Sequence, residues 1–201
     1  MTPDETGRSY DQIAERWNGD TFNRRNGIAA HERALAFLGD DRGGRAIDLG
    51  CGCSGRFVDL LLARGFEVEG VDVSARMIEL ALARHPQVRF HHADVCEWAF
   101  PHSCDFITGW DSLWHLPLSQ QEPVMRKVLA ALAPGGVFIF TTGGLDRAEE
   151  KTDAAMGPEV YYGVLGIPRT LTLIAGCGCV CRHLEYDQWP EKHLVVIVQK
   201  A

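Results

Sequence analysis

The chain is expected to fold as an α/β domain, a doubly wound and mostly parallel sheet with helices on both faces. Two observations carry that expectation. Short apolar runs alternate with helical patterns from about residue 45 to residue 142, which gives right-handed βαβ units. The first of these runs, Ala46-Ile47-Asp48-Leu49, breaks into Gly50-Cys51-Gly52-Cys53-Ser54-Gly55 and then opens the helical pattern Arg56-Phe57-Val58-Asp59-Leu60-Leu61. A strand, a tight glycine turn and a helix N-terminus leave backbone N–H groups free to hold part of a nucleotide-like ligand. Gly50, Gly52 and Gly55 satisfy the dinucleotide pattern G-x-G-x-x-G, but a plain strand-to-helix turn explains the same glycines.

Composition bounds the function. The 201 residues make one domain with room for a sizeable core, and 46% hydrophobic with 23% charged residues is a globular balance. No apolar run approaches the roughly 20 residues of a membrane span, so no membrane association is expected. Met1–Tyr10 is polar and is not read as a signal peptide. A net charge of −7 with no Lys/Arg run argues against nucleic acid as a partner. The seven cysteines are odd in number and unevenly spread, so they read as thiols in a reducing cytoplasm.

Along the chain, Ser9-Tyr10-Asp11-Gln12 fits a capping box, with Tyr10, Ile13, Ala14 and Trp17 at helical spacing until Asn18-Gly19. A second helix is expected from about Asn23 to Leu38, closed by Gly39, and the polar stretch Gly39–Gly44 leads into the first strand. The helix from Arg56 ends at Arg64-Gly65. Glu67–Val71 is the second strand and ends in Asp72. Ser74 caps the next helix, with Met77, Ile78, Ala81 and Leu82 inward, and His85-Pro86 closes it. Val88–His92 is the third strand and Asp105–Trp110 the fourth. Ser119 caps a helix through Val124, Val128, Ala131 and Leu132. Ala133-Pro134-Gly135-Gly136 then turns into Val137–Thr142, an unbroken apolar strand of the buried parallel kind.

Alternation stops there. Gly143–Ile167 is long and weakly patterned, as functional or mobile loops often are. Thr170–Ala175 reads as helical. Cys179–Tyr186 and His193–Gln199 read as strands, and the short tip Asp187–Glu191 between them permits only an antiparallel pair. Cys179–Tyr186 should therefore run parallel to the first five strands, with the tip at their carboxyl edge. The organisation expected is one domain over 1–201: N-terminal helices over 1–44, a cofactor-binding core over 45–142, an insertion or lid with a helix over 143–175, and a hairpin over 176–201.

These features together resemble the class I S-adenosylmethionine-dependent methyltransferases, from about Tyr10 to the C-terminus. In that family a D-x-G-x-G motif ends the first strand, here Asp48-Leu49-Gly50-Cys51-Gly52. An acidic residue ends the second, here Asp72 in Gly70-Val71-Asp72-Val73-Ser74, and another follows the third, here Asp94 in His91-His92-Ala93-Asp94-Val95. Leu132-Ala133-Pro134-Gly135-Gly136 looks like the family's L-x-P-G-G turn, and the terminal hairpin is the family's hallmark. Members commonly read G-C-G-T-G-R-F where this chain has Gly50-Cys51-Gly52-Cys53-Ser54-Gly55-Arg56-Phe57, one residue longer. The resemblance implies a Rossmann-like sheet of seven strands and S-adenosylmethionine as cofactor.

It also assigns roles. Asp72, 20 residues after Gly52, would accept both ribose hydroxyls. Asp94 and the Val95 backbone would meet the adenine amino edge, and Asp48 would help hold the ligand's ammonium, directly or through water. The remaining cofactor residues expected are Tyr10, Gly50, Cys51, Gly52, Val73, Met77 and Trp110. Turn or cap chemistry explains each Asp singly, whereas three acids at successive strand ends open on one sheet edge.

Methyl transfer is an in-line displacement whose catalysis is mainly alignment and desolvation, and a base is needed only where the acceptor must lose a proton. Trp110-Asp111-Ser112-Leu113 stands where amino-directed nucleic-acid members carry N/D-P-P-Y/F, which with the acidic charge points to a small-molecule acceptor. Acceptor-side candidates are Trp114, Tyr161, Tyr162 and Trp189. A core anchor explains one of the two tyrosines equally well, and covering the hairpin explains Trp189 equally well. His115 is the candidate base, although a lone histidine there is more often a structural hydrogen-bonder. No metal is expected: Cys177-Gly178-Cys179-Val180-Cys181 lies at or in a strand, where alternate residues are roughly 6.5–7 Å apart, too far for the three thiolates to share a zinc. A nicotinamide-dependent oxidoreductase explains the glycines and Asp72 but not Asp94 or the hairpin, and no Tyr-x-x-x-Lys pair follows Tyr161 or Tyr162. A non-catalytic S-adenosylmethionine-binding protein is the other alternative. Either a monomer or a homodimer is compatible with the sequence.

Overall fold

The computed structural model describes residues 1–39 and 43–201. Helices α1 (Pro3–Asp11), α2 (Glu15–Asn18) and α3 (Ile28–Ala36) precede an alternating core. That core runs β1 (Gly44–Leu49), α4 (Arg56–Ala63), β2 (Phe66–Asp72), α5 (Ala75–Arg84), β3 (Arg89–His92), β4 (Cys104–Gly109), α6 (Leu118–Ala131) and β5 (Leu132–Gly143). A ribbon of β6 (Glu149–Asp153) and β7 (Val160–Val164), helix α7 (Ile167–Gly176), and strands β8 (Cys179–Tyr186) and β9 (His193–Lys200) complete it.

Seven strands form one sheet in the order β3-β2-β1-β4-β5-β9-β8. β1 to β5 pair in parallel, while β9 is antiparallel to both β5 and β8, so β8 points with the parallel set. The sheet is covered on both sides because successive side chains point to opposite faces. Ile47, Leu49, Ile107, Phe138 and Val196 pack with α6 and α7 residues such as Val128, Leu129 and Ile174. Ala46, Phe106, Val137, Ile139 and Ile197 pack on the other face with Leu35, Val58 and Leu61 of α3 and α4. β9 is buried on both faces from Leu194 to Val198, so this antiparallel strand inside the sheet still reads as an unbroken apolar run.

Several boundaries differ from those the patterns suggest, each for a local reason. The first capping box is Thr2-Pro3-Asp4-Glu5: the Glu5 N–H donates to Thr2 Oγ1 at 3.2 Å and the Thr2 N–H to Glu5 Oε2 at 2.7 Å. Ser9 lies inside that helix and donates to the Glu159 carbonyl at 2.7 Å, so it caps nothing. α3 starts at Ile28, not Asn23, because Asn23 accepts the Arg25 N–H in a local turn and Gly27 sits at φ +80°, where a Cβ would strike Trp110 and Phe57. Leu82 is 42% exposed at the margin of the Met77–Ile78–Ala81 stripe. α6 begins at Leu118, so Ser119 is in its first turn and makes no cap; the Tyr161 hydroxyl accepts the Leu118 N–H instead. The expected loop Gly39–Gly44 falls partly outside the described residues. The long segment after β5 is an antiparallel ribbon, β6 with β7, laid beside the α1 end through the Ser9 contact.

Candidate active site

One cavity of about 390 Å³ opens at the carboxyl ends of the parallel strands. Its floor comes from the Gly50–Ser54 turn, Asp72-Val73 at the end of β2, Asp94-Val95 after β3, and Trp110–Leu116 after β4. Thr6, Tyr10 and Trp17 roof it from the N-terminal helices, Met156 and Tyr162 from the ribbon, and Gln188 and His193 from the hairpin. α1 is fastened in place because Asp11 Oδ1 accepts Ser74 Oγ–H at 2.6 Å and the Arg76 N–H at 3.0 Å. The same face lets Gly7 approach so closely that a Cβ would lie 2.7 Å from the Val73 carbonyl oxygen.

The glycine turn is built to hold an acid. Gly50 and Gly52 are left-handed, at φ +67° and +54°, and the Gly50 and Cys51 N–H groups both donate to the Val71 carbonyl. The Gly52 N–H donates to Asp72 Oδ2 at 2.8 Å and the Ser74 N–H to Asp72 Oδ1 at 2.9 Å. Burial raises the Asp72 pKa, opposed by those two N–H groups. The turn's first amides are therefore spent on the protein, and a fixed carboxylate faces the cavity with a lone pair left on each oxygen. Asp94 is held in the same way, its Oδ1 accepting the Cys96 N–H at 2.8 Å.

Tyr10, Gly50, Cys51, Gly52, Asp72, Val73, Met77, Asp94, Val95 and Trp110 all line the cavity. Asp48 does not; it lies beneath the turn, 3% exposed, and burial raises its pKa to about 7. Of the acceptor-side candidates, Trp114 and Tyr162 line the cavity and Tyr161 and Trp189 do not. Neighbours on a strand face opposite ways, so Tyr161 turns from the cavity and donates to Glu150 Oε2 at 2.6 Å. Trp189, 74% exposed, packs edge-on to Tyr186 in the hairpin tip while Gln188 reaches the cavity.

His115 is walled in. Its Nδ1–H donates to the Tyr161 carbonyl at 2.8 Å, and Nε2 receives Tyr10 O–H at 2.7 Å and Trp114 Nε1–H at 3.0 Å. Burial lowers its pKa to about 4, which keeps the ring neutral. With both nitrogens committed, the ring ties α1, the segment after β4 and the ribbon together. The Tyr10 hydroxyl is correspondingly held neutral, its pKa raised by burial.

Of the Arg, Asp and His side chains that line the cavity, three were not singled out by sequence reasoning. Arg56, the first residue of α4, donates from Nε to the Asn26 carbonyl and from Nη1 to Ser54 Oγ, and lies over the Phe22 and Phe57 rings. It has no carboxylate partner among the described residues, and burial lowers its pKa. Near it, the buried Trp110 Nε1–H has no acceptor among the described residues. Asp111, at φ +54°, and His193 form a hydrogen-bonded pair at 2.8 Å on the cavity wall. The signals present were positional: a cation opening the helix after the turn, an acid directly after the fourth strand, and a polar residue at the start of an apolar one.

These residues fit the methyl donor expected from the resemblance better than a dinucleotide. Two fixed carboxylates suit partners that donate hydrogen bonds, as a diol and an amino edge do. Arg56 is the one Arg or Lys lining the cavity among the described residues, and the amides of the turn's first residues are already engaged, which leaves little to hold a pyrophosphate.

A family model described as a methyltransferase domain matches residues 22–168. The chain belongs to that methyltransferase family. Over 115 residues it is 36% identical to a trans-aconitate 2-methyltransferase of Variovorax paradoxus, a match covering 56% of this chain and 42% of that protein. The chain thus spans less than half the length of the curated relatives matched first. Among solved structures, a DhpI complex with S-adenosylhomocysteine shares the fold with a TM-score of 0.70 at 23% identity, covering 98% of this chain and 96% of that one. The Burkholderia thailandensis 1,6-didemethyltoxoflavin-N1-methyltransferase shares it with a TM-score of 0.70 at 21% identity, covering 96% and 84%. The doubly wound methyltransferase fold expected from the motifs is the fold of this chain. No helix among the described residues is long and apolar enough to cross a membrane.

Proposed function

We propose that this methyltransferase carries a methyl group from S-adenosylmethionine to a small-molecule acceptor in the cytoplasm. The observation that carries the reading is the pair of backbone-fixed carboxylates, Asp72 and Asp94, opening with the Gly50–Gly52 turn into one cavity. The cofactor supplies an electrophilic sulfonium methyl when bound. Asp72 accepts the ribose hydroxyls, and Asp94 with the Val95 backbone addresses the adenine edge. Arg56 and the Trp110 indole N–H, both without an anionic partner among the described residues, receive the carboxylate of the amino-acid end, with Asp48 near its ammonium.

Trp114 and Tyr162 line the space for the acceptor, and the segment 143–175 acts as a lid, closing that space from water. His115 is a positioning residue, since its Nε2 lone pair already receives two donors. A roof of Tyr10, Trp17 and Tyr162 over a cavity this size supports a small acceptor over a macromolecular one. Isothermal calorimetry with S-adenosylhomocysteine and with NADH tests the reading. Saturable binding of S-adenosylhomocysteine is expected, and binding of NADH with no response to S-adenosylhomocysteine overturns it.

A further inference from the structure

On the wall opposite Asp72, three adjacent strand ends bring together residues far apart in sequence. Asp111 follows β4, Thr141 lies on β5 and His193 begins β9, and the registers Gly109↔Phe140 and Gly143↔His193 set them side by side. Asp111 occupies the left-handed region, a conformation that a non-glycine residue keeps only when its surroundings hold it, and one that clusters at functional sites. Here the Thr141 hydroxyl holds it twice. Oγ1 accepts the Asp111 N–H at 2.8 Å and donates to Asp111 Oδ1 at 3.2 Å.

His193 stands behind Asp111. Its Nε2 meets Asp111 Oδ1 at 2.8 Å and its Nδ1 meets Asp187 Oδ1. Carboxylate oxygens only accept, so a ring placed between two of them carries both protons. Burial works against that charge, but the hydrogen bonds and charges of Asp111 and Asp187 outweigh it and raise the His193 pKa. The rings of Trp110 and Trp114 pack around the imidazole, with centroids 5.7 and 5.4 Å away. The Asp111 charge is also felt by Arg56, His31, His115 and Tyr10. Asp111 Oδ1 is thus taken by two donors, whereas Oδ2 has no hydrogen-bond partner among the described residues, on a side chain 37% exposed at the cavity.

We propose that Asp111 Oδ2 holds and deprotonates the acceptor, that His193 and Asp187 are the positioning pair behind it, and that the acceptor atom therefore belongs to a hydroxyl or an amine. The proposal rests on the methyltransferase reading. In the step, the acceptor's O or N forms its bond to the methyl carbon as the carbon–sulfur bond breaks, and that bond's electron pair stays on sulfur. The acceptor's proton passes to Asp111 Oδ2. Two carboxylates and one imidazolium, net −1, become a neutral cluster while the positive charge of the sulfonium donor is discharged. A carboxylate acceptor fits neither requirement: it has no proton to give, and it would set a second anion against the Asp111 carboxylate.

Methyl transfer from tritiated S-adenosylmethionine to three probe mixtures tests this, one of phenols and alcohols, one of primary and secondary amines, and one of carboxylic acids containing trans-aconitate. Product is expected in one of the first two mixtures and not in the third. In Asp111→Asn, which keeps the left-handed conformation and the Oδ1 acceptor, kcat should fall at least about 100-fold, while KM rises by a smaller factor from the lost hold on the acceptor. His193→Gln should lower kcat about tenfold. Without any acceptor, long-range ¹H–¹⁵N spectra should show both His193 nitrogens protonated, and Asp111→Asn should move that titration to lower pH. Methylation confined to the carboxylic acids, no methylation of either protic mixture by an enzyme that binds S-adenosylhomocysteine, or full activity of Asp111→Asn overturns the proposal. Loss of S-adenosylhomocysteine binding by the parent enzyme would instead overturn the cofactor reading.

Discussion

The two walls of the cavity are made differently. The wall at β1–β3 is held by backbone: Ser74 N–H fixes Asp72 and Cys96 N–H fixes Asp94, each two residues from its acid, and Gly52 N–H, in the turn after the neighbouring strand β1, fixes Asp72 from 20 residues away. The wall at β4, β5, β9 and the ribbon is held by side chains. Asp111 and His193 are 82 residues apart, Tyr10 and His115 are 105 apart, and each contact joins separate elements. Backbone geometry tolerates change in the side chains around it, while a side-chain network depends on each member. The first wall therefore suits a fixed ligand and the second one that differs among relatives.

The largest expected effect lies in the side-chain wall and concerns stability. His115→Ala would leave the Tyr10 hydroxyl, the Trp114 indole N–H and the Tyr161 carbonyl without their common partner, at a cost of about 2–3 kcal/mol. Most turnover should survive, because no free lone pair is lost. The pH dependence has a definite sign. A folded pKa of about 4, against 6.5 unfolded, means the ring contributes stability fully above pH 6.5 and loses it as pH falls toward 4. His31, lowered to about 3 by burial beside Thr108, adds in the same direction. Denaturant melts of parent and variant at pH 7.5 and pH 5 check this. A variant of normal stability that has lost its turnover would make His115 the base.

In the backbone wall, Asp72→Asn should weaken S-adenosylhomocysteine by about 1.5–3 kcal/mol, roughly 10- to 150-fold in Kd, with little change in melting temperature. Calorimetry measures both partners of the comparison, since Asp111→Asn should leave that Kd within about twofold. If both substitutions weakened S-adenosylhomocysteine alike, the two walls would not be separate sites. Arg56→Met sharpens the same contrast at one end of the ligand. It should cost about tenfold, ~1.4 kcal/mol, for S-adenosylhomocysteine and nothing for 5′-methylthioadenosine, which lacks the carboxylate. An equal loss for both would place Arg56 in packing over Phe22 and Phe57 and not in recognition.

How far the sequence could be read follows the same division. The order of strands and helices, the acids at Asp72 and Asp94 and the hairpin were all legible, because each is written within some ten residues by turn glycines, caps and apolar periodicity. Asp111, His193 and Arg56 were not, because a polar residue at a strand or helix end is ordinary until the register of β4, β5 and β9 sets it beside its partner. Tyr161 and Trp189 show the converse. An aromatic near the correct edge is uninformative until strand alternation decides which way it faces, and Tyr162 took the inward position. The ribbon in Gly143–Ile167 escaped notice because Glu149-Glu150-Lys151-Thr152-Asp153 is polar on both faces.

The smallest expected effect joins the two walls' common floor to the ligand. Asp48 sits beneath the glycine turn with its pKa raised to about 7, burial being the main cause, opposed by Arg56 and aided by Asp72. Near neutral pH it is therefore only partly ionised without ligand. An ammonium arriving nearby favours the carboxylate, so binding should expel a fraction of a proton at pH 7. The fraction should shrink at pH 5.5 if the ammonium's pull leaves the pKa above that pH, and it should vanish at pH 8.5, where Asp48 is already ionised. Calorimetry of S-adenosylhomocysteine in phosphate and in Tris, whose ionisation enthalpies differ, measures the proton count directly. Asp48→Asn should abolish the difference between buffers while changing Kd by less than about tenfold, because the carboxylate does not line the cavity. The same release in Asp48→Asn would assign the proton to another group and leave Asp48 a structural acid under the turn.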